Sequence, residues 1–542
     1  MKYKEYENRV IYQIYPRSFK DSNGDGIGDL QGIISKLDYL KDLGIGIIWL
    51  SPIYKSPLDD MGYDVADYYS IHSDYGTMDD FDKLITEANK RDIKIVMDLV
   101  VNHTSDEHKW FVEALKNPES PYRDYYYFKR GKGKNFKLPP NNWDSVFTGT
   151  AWEELKNEPG MFYLHLYGVK QPDLNYHNPK VIKEVENIIE FWLNKGVYGF
   201  RCDVIDQIYK TTLDDGKFRF FNKGVEHYIC QPGNHEVLKT LRKNVFDKRE
   251  DSMFLGENAF MTIEQGKAFF DHELDMFISF DHMNIDKRSI PVFKKRFKVK
   301  NLRDALFMWQ TSVPWNALYL ENHDQLRSIN RFGNIKHYYK ESGKALALLL
   351  LTLRGTPLIY NGEEIGMLNY NEIKFEDIND VAILSCYKIG KKFHVPFNFL
   401  MKHLYNINRD NARSPIQWNK DINAGFSTGK PWLKTNVNYA SGINVQSELA
   451  EQDSILNFYK RMLKYRNNSD ILKHGEFIPL ELNKNVIYFE RKMEGKSLFV
   501  VVNLSKKSIK TQELIGKKCI MSNIPLTNEK VISPYFAGIF EI

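Results

Sequence analysis

Tyr198–Asp206, YGFRCDVID, is a short apolar run of strand type that ends by presenting Arg201 and Asp203. Two residues apart on an extended chain, these side chains share a face and point at one spot beyond the strand's end. A guanidinium beside a carboxylate favours the ionised acid, which suits a nucleophile or a stabiliser of developing positive charge. A salt bridge that merely caps a strand would read the same way. Two further stretches tip the balance toward chemistry. Phe254–Phe260 (FLGENAF) and Leu318–Gln325 (LYLENHDQ) also run from apolar strand into acid, offering Glu257 and Asp324.

Outward from these stretches, the chain up to about residue 360 alternates short apolar runs with longer amphipathic ones. The runs are 10–15, 45–50, 93–101, 197–203, 253–256, 276–280, 317–320 and 357–360. Between several of them the apolar period becomes helical: Phe81, Leu84, Ile85 and Ala88 within 79–92, and Val181, Val185, Ile188 and Ile189 within 178–195. Strand and helix in alternation imply a parallel sheet, and eight runs imply an α/β protein built on a closed (β/α)8 TIM barrel. In such barrels chemistry collects where strands end and the following loops begin, and every polar cluster named here falls there.

Two departures from the alternation define further modules. From about His103 to Gln171 the chain is aromatic and turn-rich, too long for an ordinary connection, and reads as a subdomain inserted after the third strand. Beyond about Ile471 short alternating strands (VIYFERK, SLFVVVNLS, AGIFEI) predict a C-terminal antiparallel β domain. The expected division is 1–102 with 172–470 for the barrel, 103–171 for the insertion and 471–542 for the last domain.

The bulk figures fit a globular protein: 542 residues, 42% apolar and 27% charged, with 75 basic against 70 acidic residues. A net charge of +5 argues against nucleic acid as a partner, and the basic run KKRFKVK (294–300) reads as the wet face of a helix. Aromatic content is high, at 14%, which suits stacking on sugar rings as well as ordinary cores. Four scattered cysteines without a CxxC fit a reducing compartment. The N-terminus has no apolar signal region, and no stretch approaches ~18 uninterrupted apolar residues. A cytoplasmic protein outside the membrane, monomeric or weakly homo-oligomeric, is expected.

The loop 21–29, DSNGDGIGD, carries oxygen donors with glycines that permit a tight wrap, like the first part of an EF-hand. Its twelfth position is Gly32, which cannot close such a site. A structural Ca2+ (or Mg2+) held by Asp21, Asn23, Asp25, Ile27 and Asp29 is expected, with a plain Asp/Asn/Gly turn as the alternative. Asp60 and Tyr63 follow the second strand. Asp98, Asn102 and His103 lie at the end of the third, and His323 adjoins Asp324. Two imidazoles among several carboxylates suit the gripping of hydroxyl groups. HxH and HxxxH spacings are absent, so a catalytic metal is not expected.

Acetal cleavage needs one proton donor and one carboxylate that attacks or stabilises an oxocarbenium-like carbon. Asp203, charged by Arg201, fits the nucleophile. Glu257, in an apolar run with no cation beside it in sequence, fits an acid whose proton affinity burial would raise. Asp324 would then hold hydroxyls.

DLVVNH, GFRCDVID, the Glu257 stretch and ENHDQ, in that order, resemble the four signature regions of the α-amylase clan of glycoside hydrolases. QPDLNY (171–176), GTPLIYNGEEIGM (355–367) and RDNARSPIQW (409–418) resemble its oligo-1,6-glucosidase/α-glucosidase branch, which includes trehalose-6-phosphate hydrolases and sucrose isomerases. The 21–29 loop is similar to that branch's structural cation site. The resemblance implies a retaining enzyme without a catalytic cofactor. Asp203 would be the nucleophile, Glu257 the acid/base and Asp324 the stabiliser. It also implies that Asp60, Tyr63, His103, Gln171, Arg201 and His323 line the pocket for a terminal glucose of a small oligosaccharide or disaccharide. Arg409 would pair with Asp60 to close its far end, with Phe147 as an aromatic shield. Val204, following the nucleophile, implies α-1,6 linkages. Departures are Cys202 in place of Met or Leu, Asn-Ala-Phe after Glu257, and a long connection from Tyr209 to Asn244. The arginine-rich loop of sucrose isomerases is also missing, although Lys287 and Arg288 lie in that region.

Overall fold

The computed structural model describes residues 3–249, 251–287, 294–370 and 374–542; Arg288 lies outside them. Eight parallel strands form one nearly closed barrel: β1 (Ile11–Ile14), β2 (Ile47–Leu50), β3 (Lys94–Leu99), β4 (Gly199–Cys202), β5 (Met253–Asn258), β6 (Met276–Ser279), β7 (Ala317–Leu318) and β8 (Thr356–Tyr360). The hydrogen-bonded order runs β6-β5-β4-β3-β2-β1-β8-β7, and β6 and β7 lie side by side where the ladder does not close. Each of the eight apolar runs is a barrel strand. β7 is shorter than its run, ending at Leu318, and Glu321 just beyond the run accepts from Arg327 Nη1 (2.9 Å).

The helices between strands bury the stripe that their period requires. Met78–Lys90 starts on a Thr77/Asp80 capping box and buries Phe81, Leu84, Ile85 and Ala88. Pro179–Asn194 is capped by Asn178 and buries Val181, Val185, Ile188 and Ile189. The connection after β3 contains a three-stranded antiparallel sheet (Phe128–Arg130, Met161–Leu164, Trp152–Glu154). A five-stranded antiparallel sheet, opening at Glu476–Leu480, follows the last barrel helices. The four cysteines are free thiols, and no helix among the described residues is long and apolar enough to cross a membrane.

The basic run 294–300 is not a helical face. Helix begins only at Val299, and Lys294 instead pairs by a backbone bridge with Lys287. Burial and nearby Arg331 push both ammonium groups down to about 8. Charge density in the sequence could not distinguish a solvated helix from this crossing.

Candidate active site

Register explains the central ion pair. Asp98 on β3 and Arg201 on β4 are direct partners in the parallel ladder, so their side chains emerge together into the barrel top. Arg201 is fully buried. Its Nη1 donates to Asp98 Oδ1 (2.7 Å) and to Asp203 Oδ1 (2.8 Å), and its Nη2 forms an ion pair with Glu257. Three carboxylates from the ends of three neighbouring strands therefore meet one guanidinium, which also lies over the Trp49 ring. Asp98 Oδ2 accepts from Trp49 Nε1 (3.2 Å) and Tyr63 OH (3.1 Å).

This corrects two expectations. Arg201 is not reserved for Asp203, because its other nitrogen meets Glu257. Nor does Arg201 simply hold Asp203 ionised: burial raises the proton affinity of Asp203 well above the carboxylate range, Arg201 opposes this, and Glu257 and Asp98 add to the rise. Burial likewise pushes Asp98 up to about 6 against the pull of Arg201. Several acids crowded into one buried site cannot all ionise freely.

Val204, immediately after Asp203, adopts φ 38° and ψ 43°, a left-handed conformation that β-branched residues rarely take. The bend follows directly on the β4 ladder, where Asp203 N donates to Leu99 O (3.0 Å), and Val204 N lies 3.4 Å from Glu257 Oε2.

Asp324 stands among cations. Its Oδ1 accepts from Arg413 Nη2 (2.7 Å) and Arg409 Nη1 (3.4 Å), and its Oδ2 lies 3.5 Å from His323 Nε2. Burial works to raise its pKa, but the surrounding positive groups hold it well below the usual range. Burial pushes His323 itself down to about 3, so the imidazole is neutral at pH 7 and the two arginines carry the effect. The Gln13 amide at 2.8 Å from His323 Nδ1 donates there, which assigns the imidazole proton to Nε2, facing Tyr63 OH (2.8 Å) and Asp324.

The far wall comes from the connections after β2, β3 and β8. Arg409 reaches Asp60 Oδ1 at 3.4 Å, but its tightest partner is Asp380, bound through Nε (3.0 Å), Nη2 (2.9 Å) and the backbone amide (2.9 Å). The guanidinium also lies 5.5 Å from the centre of the Phe147 ring. Gln171 Nε2 donates to Asp60 Oδ2 (3.3 Å) and Tyr63 O (3.2 Å). His103, driven down to about 4 by burial, is bonded to Tyr63 O (2.9 Å). Asp60, Tyr63, His103, Phe147, Gln171, Arg201, Val204, His323 and Arg409 are thus tied by these contacts to the three acids or to one another.

Sequence reasoning placed Asp98 at the third strand's end without giving it a role, and missed Arg413 and Asp380 as members of this group. Asp98 was visible as the acid of DLVVNH, and Arg413 follows Arg409 by one helical turn in RDNAR. Asp380 carried no signal: it lies 29 positions before its partner, just ahead of a helix that it caps.

In the 21–29 loop the acids turn inward. Asp21 accepts from the amides of Asn23, Gly24 and Gly26 and from Ser427 Oγ. Asp29 accepts from Ser22 and Gly32, and Asp25 from Ile27 N and the Asn23 side chain. A Cβ on Gly26 (φ 92°) would meet Lys430 O at 1.9 Å, so the wrap requires glycine there. Among the described residues no three acidic, His or Cys side chains are gathered for a metal. Any cation would rest mainly on the exposed oxygens of Asn23 and Asp25 and on backbone carbonyls.

Residues 13–475 match the family model for the α-amylase catalytic domain. The chain is 42% identical over 561 residues to an oligo-1,6-glucosidase of Parageobacillus thermoglucosidasius, covering 99% of each. It superposes on trehalose-6-phosphate hydrolase from Bacillus licheniformis with a TM-score of 0.92 at 40% identity, covering 99% of this chain and 100% of that one. On isomaltulose synthase from Klebsiella sp. LX3 the score is 0.95 at 35% identity, covering all of both chains. A barrel whose strand ends bring Asp203, Glu257 and Asp324 to one pocket thus agrees with these likenesses, and the chain belongs to the α-amylase family of glycoside hydrolases.

Proposed function

We propose that the protein is a retaining, exo-acting α-glucosidase that removes terminal α-linked glucose from short oligosaccharides, with isomaltose-type α-1,6 linkages preferred. The observation that carries this reading is the single guanidinium shared by Asp203 and Glu257. It confines two acids from adjacent strands to one small volume, consistent with the ~5–5.5 Å gap of a retaining pair. Asp203 attacks the anomeric carbon and the glycosidic C–O bond breaks. The electron pair leaves on the oxygen, which takes the proton of Glu257. Water then adds to the anomeric carbon, its proton returns to Glu257, and the Asp203 carboxylate is released. Asp324, kept charged by Arg409 and Arg413, holds sugar hydroxyls and favours the positive charge that develops on the ring.

The exo mode is supported by the contacts of Arg409 with Asp60, Asp380 and the Phe147 ring, which would close the site beyond one sugar. The α-1,6 preference is supported by Val204 and by the relatives, among them a glucan 1,6-α-glucosidase of Streptococcus pneumoniae. Initial rates on isomaltose, maltose, sucrose, trehalose and trehalose 6-phosphate test it. Fastest turnover of trehalose 6-phosphate, or new disaccharides from sucrose, would replace it with one of the other activities found in this branch. Proton NMR should show the α-anomer of glucose first; the β-anomer would sink the retaining mechanism. We further propose cytoplasmic localisation and a structural Ca2+ or Mg2+ in the 21–29 loop.

A further inference from the structure

We infer that the helical hairpin after β8, Val381–Lys392 with Phe397–Leu404, is a docking tip for an anionic phospholipid surface. Phe393, Phe397 and Phe399 enter the interface, and the lysines around them hold it. This goes beyond the glucosidase reading and does not depend on it. It revises the expectation of a protein wholly apart from membranes. No helix among the described residues is long and apolar enough to cross one, so the attachment is peripheral.

Burial sets the tip apart from its base. The inner face of the pair closes on a small core of its own, where Ile383 meets Met401 and Leu404 over Tyr370 and Ile378. Gly390 lets the two helices approach, because a Cβ there would meet Leu400 Cδ2 at 2.5 Å. Beyond that core, every residue from 391 to 399 except Val395 is exposed. Phe393 is 73% exposed, Phe399 52% and Phe397 49%. Phe397 keeps an edge against Phe375 and Tyr387 (5.8 and 5.9 Å), and Phe399 stands 4.7 Å from His403. Single exposed apolar side chains are ordinary, but three rings within seven residues on a packed base form a patch that the fold itself does not use.

Charge identifies the partner. From 381 to 408 the chain carries four lysines, two histidines and no Asp or Glu, and Lys388, Lys391, Lys392 and Lys402 are all exposed. Of the flanking acids, Asp377 is bound by Lys434 (2.6 Å) and Asp380 by Arg409 (2.9 Å). Asp410 is buried, and exposed Glu376 lies two residues from Lys374. The tip is therefore positive as well as apolar. A second copy of this chain fits poorly, since a twofold contact would set lysines against lysines. Rings on a projecting tip, ringed by long cationic side chains, suit a soft surface in which the rings sink to the acyl boundary while the ammonium groups meet phosphates.

Position keeps the tip clear of the sugar site. Asp380 accepts from Ala382 N (3.0 Å) at the start of the first helix and binds Arg409. Pocket and tip thus lie at opposite ends of a 12-residue helix, about 18 Å long.

Cosedimentation of the full chain with vesicles tests this, using phosphatidylglycerol-rich and pure phosphatidylcholine membranes. Binding to the anionic vesicles is expected, with release as salt rises and little binding to the neutral ones. Lys391→Gln with Lys392→Gln should weaken it about 25-fold, about fivefold per charge. Phe393→Ala and Phe399→Ala should each weaken it about five- to tenfold, and Phe393→Leu should keep it. Melting temperatures should not change, since all four positions are exposed. Absence of binding, equal binding to neutral vesicles, or anionic binding that the tip variants leave intact would overturn the inference. So would a dimer that Phe393→Ala dissociates in the absence of vesicle binding, which would assign the tip to a second copy. None of these results bears on the glucosidase reading, which the panel of α-glucosides tests separately.

Discussion

Arg201→Lys asks whether one guanidinium organises the proposed catalytic pair. Arg201 spans Asp98 and Asp203 through Nη1 and reaches Glu257 through Nη2. Lysine keeps the charge, but its single nitrogen cannot occupy both Nη positions, so at least one buried carboxylate loses its partner. An uncompensated buried charge costs about 3–5 kcal/mol. Because burial already raises the proton affinity of Asp98 and Asp203, the orphaned acid can take up a proton, and the lower end, about 3 kcal/mol, is expected. The chemistry suffers separately: displacement of a reacting group by about 1 Å costs roughly 10²-fold. Asp60, Phe147 and Arg409 hold the far end of the pocket without touching Arg201, so the loss should fall on kcat with KM nearly constant. Initial rates on isomaltose, together with chemical denaturation of the same preparation, give both quantities. Activity within about threefold of wild type at unchanged stability would refute the bridging role.

Asp380→Asn should loosen Arg409, which binds Asp380 more tightly than Asp60; a rise of about tenfold in KM with kcat nearly unchanged is expected, corresponding to roughly 1.4 kcal/mol. His282, buried and bonded to Tyr319 O (2.9 Å), is pushed down to about 4 by burial. The unfolded chain takes up this proton near pH 6.5 and the folded chain does not. The stability contributed by a neutral His282 is therefore complete above that pH and falls as the pH drops toward 4. By pH 5 the loss is about 2 kcal/mol, and His282→Gln should flatten the acid dependence of denaturation by that amount. If a cation binds the 21–29 loop, chelation should lower the melting temperature without changing kcat. An unchanged transition and no bound metal by elemental analysis would remove the cation.

The barrel was legible because each layer repeats one short signal: a strand-length apolar run, then an apolar stripe at helical spacing. Phe81, Leu84, Ile85 and Ala88 place their helix without any knowledge of what it packs on. Site membership was legible only where an acid or a histidine ends such a run. That Asp98 faces Arg201 depends on strand register, which neither segment contains by itself. Asp380 depends on a contact with Arg409 across a polar connection that has no period at all. Burial is a property of the assembled pocket, so neighbours in sequence could not indicate that Asp203 and Glu257 share a cation, or that desolvation would outweigh it at Asp203. The same blindness turned Lys294 into a solvated helix residue, although it lies across a bridge from Lys287.

Val204 joins backbone strain to specificity, and the two can be separated. A β-branched residue held at φ 38° costs of order 1–3 kcal/mol. The bend turns the backbone off β4 directly after Asp203, just beyond the Val204 amide that lies 3.4 Å from Glu257 Oε2. An extended residue there would continue along β4 instead of entering the turn at Ile205–Gln207. The strained conformation therefore sets the turn after Asp203 whatever the linkage, and any contribution of Val204 to a preference for α-1,6 bonds must come from its side chain. Val204→Thr isolates it, because threonine keeps the β-branch and hence the backbone cost while adding a hydroxyl. The ratio of maltose to isomaltose turnover should rise about tenfold, the scale of one modest contact in a substrate pocket, with little change in stability. A constant ratio would show that linkage preference lies elsewhere in the pocket, and that valine stands at this position only to pack a buried turn.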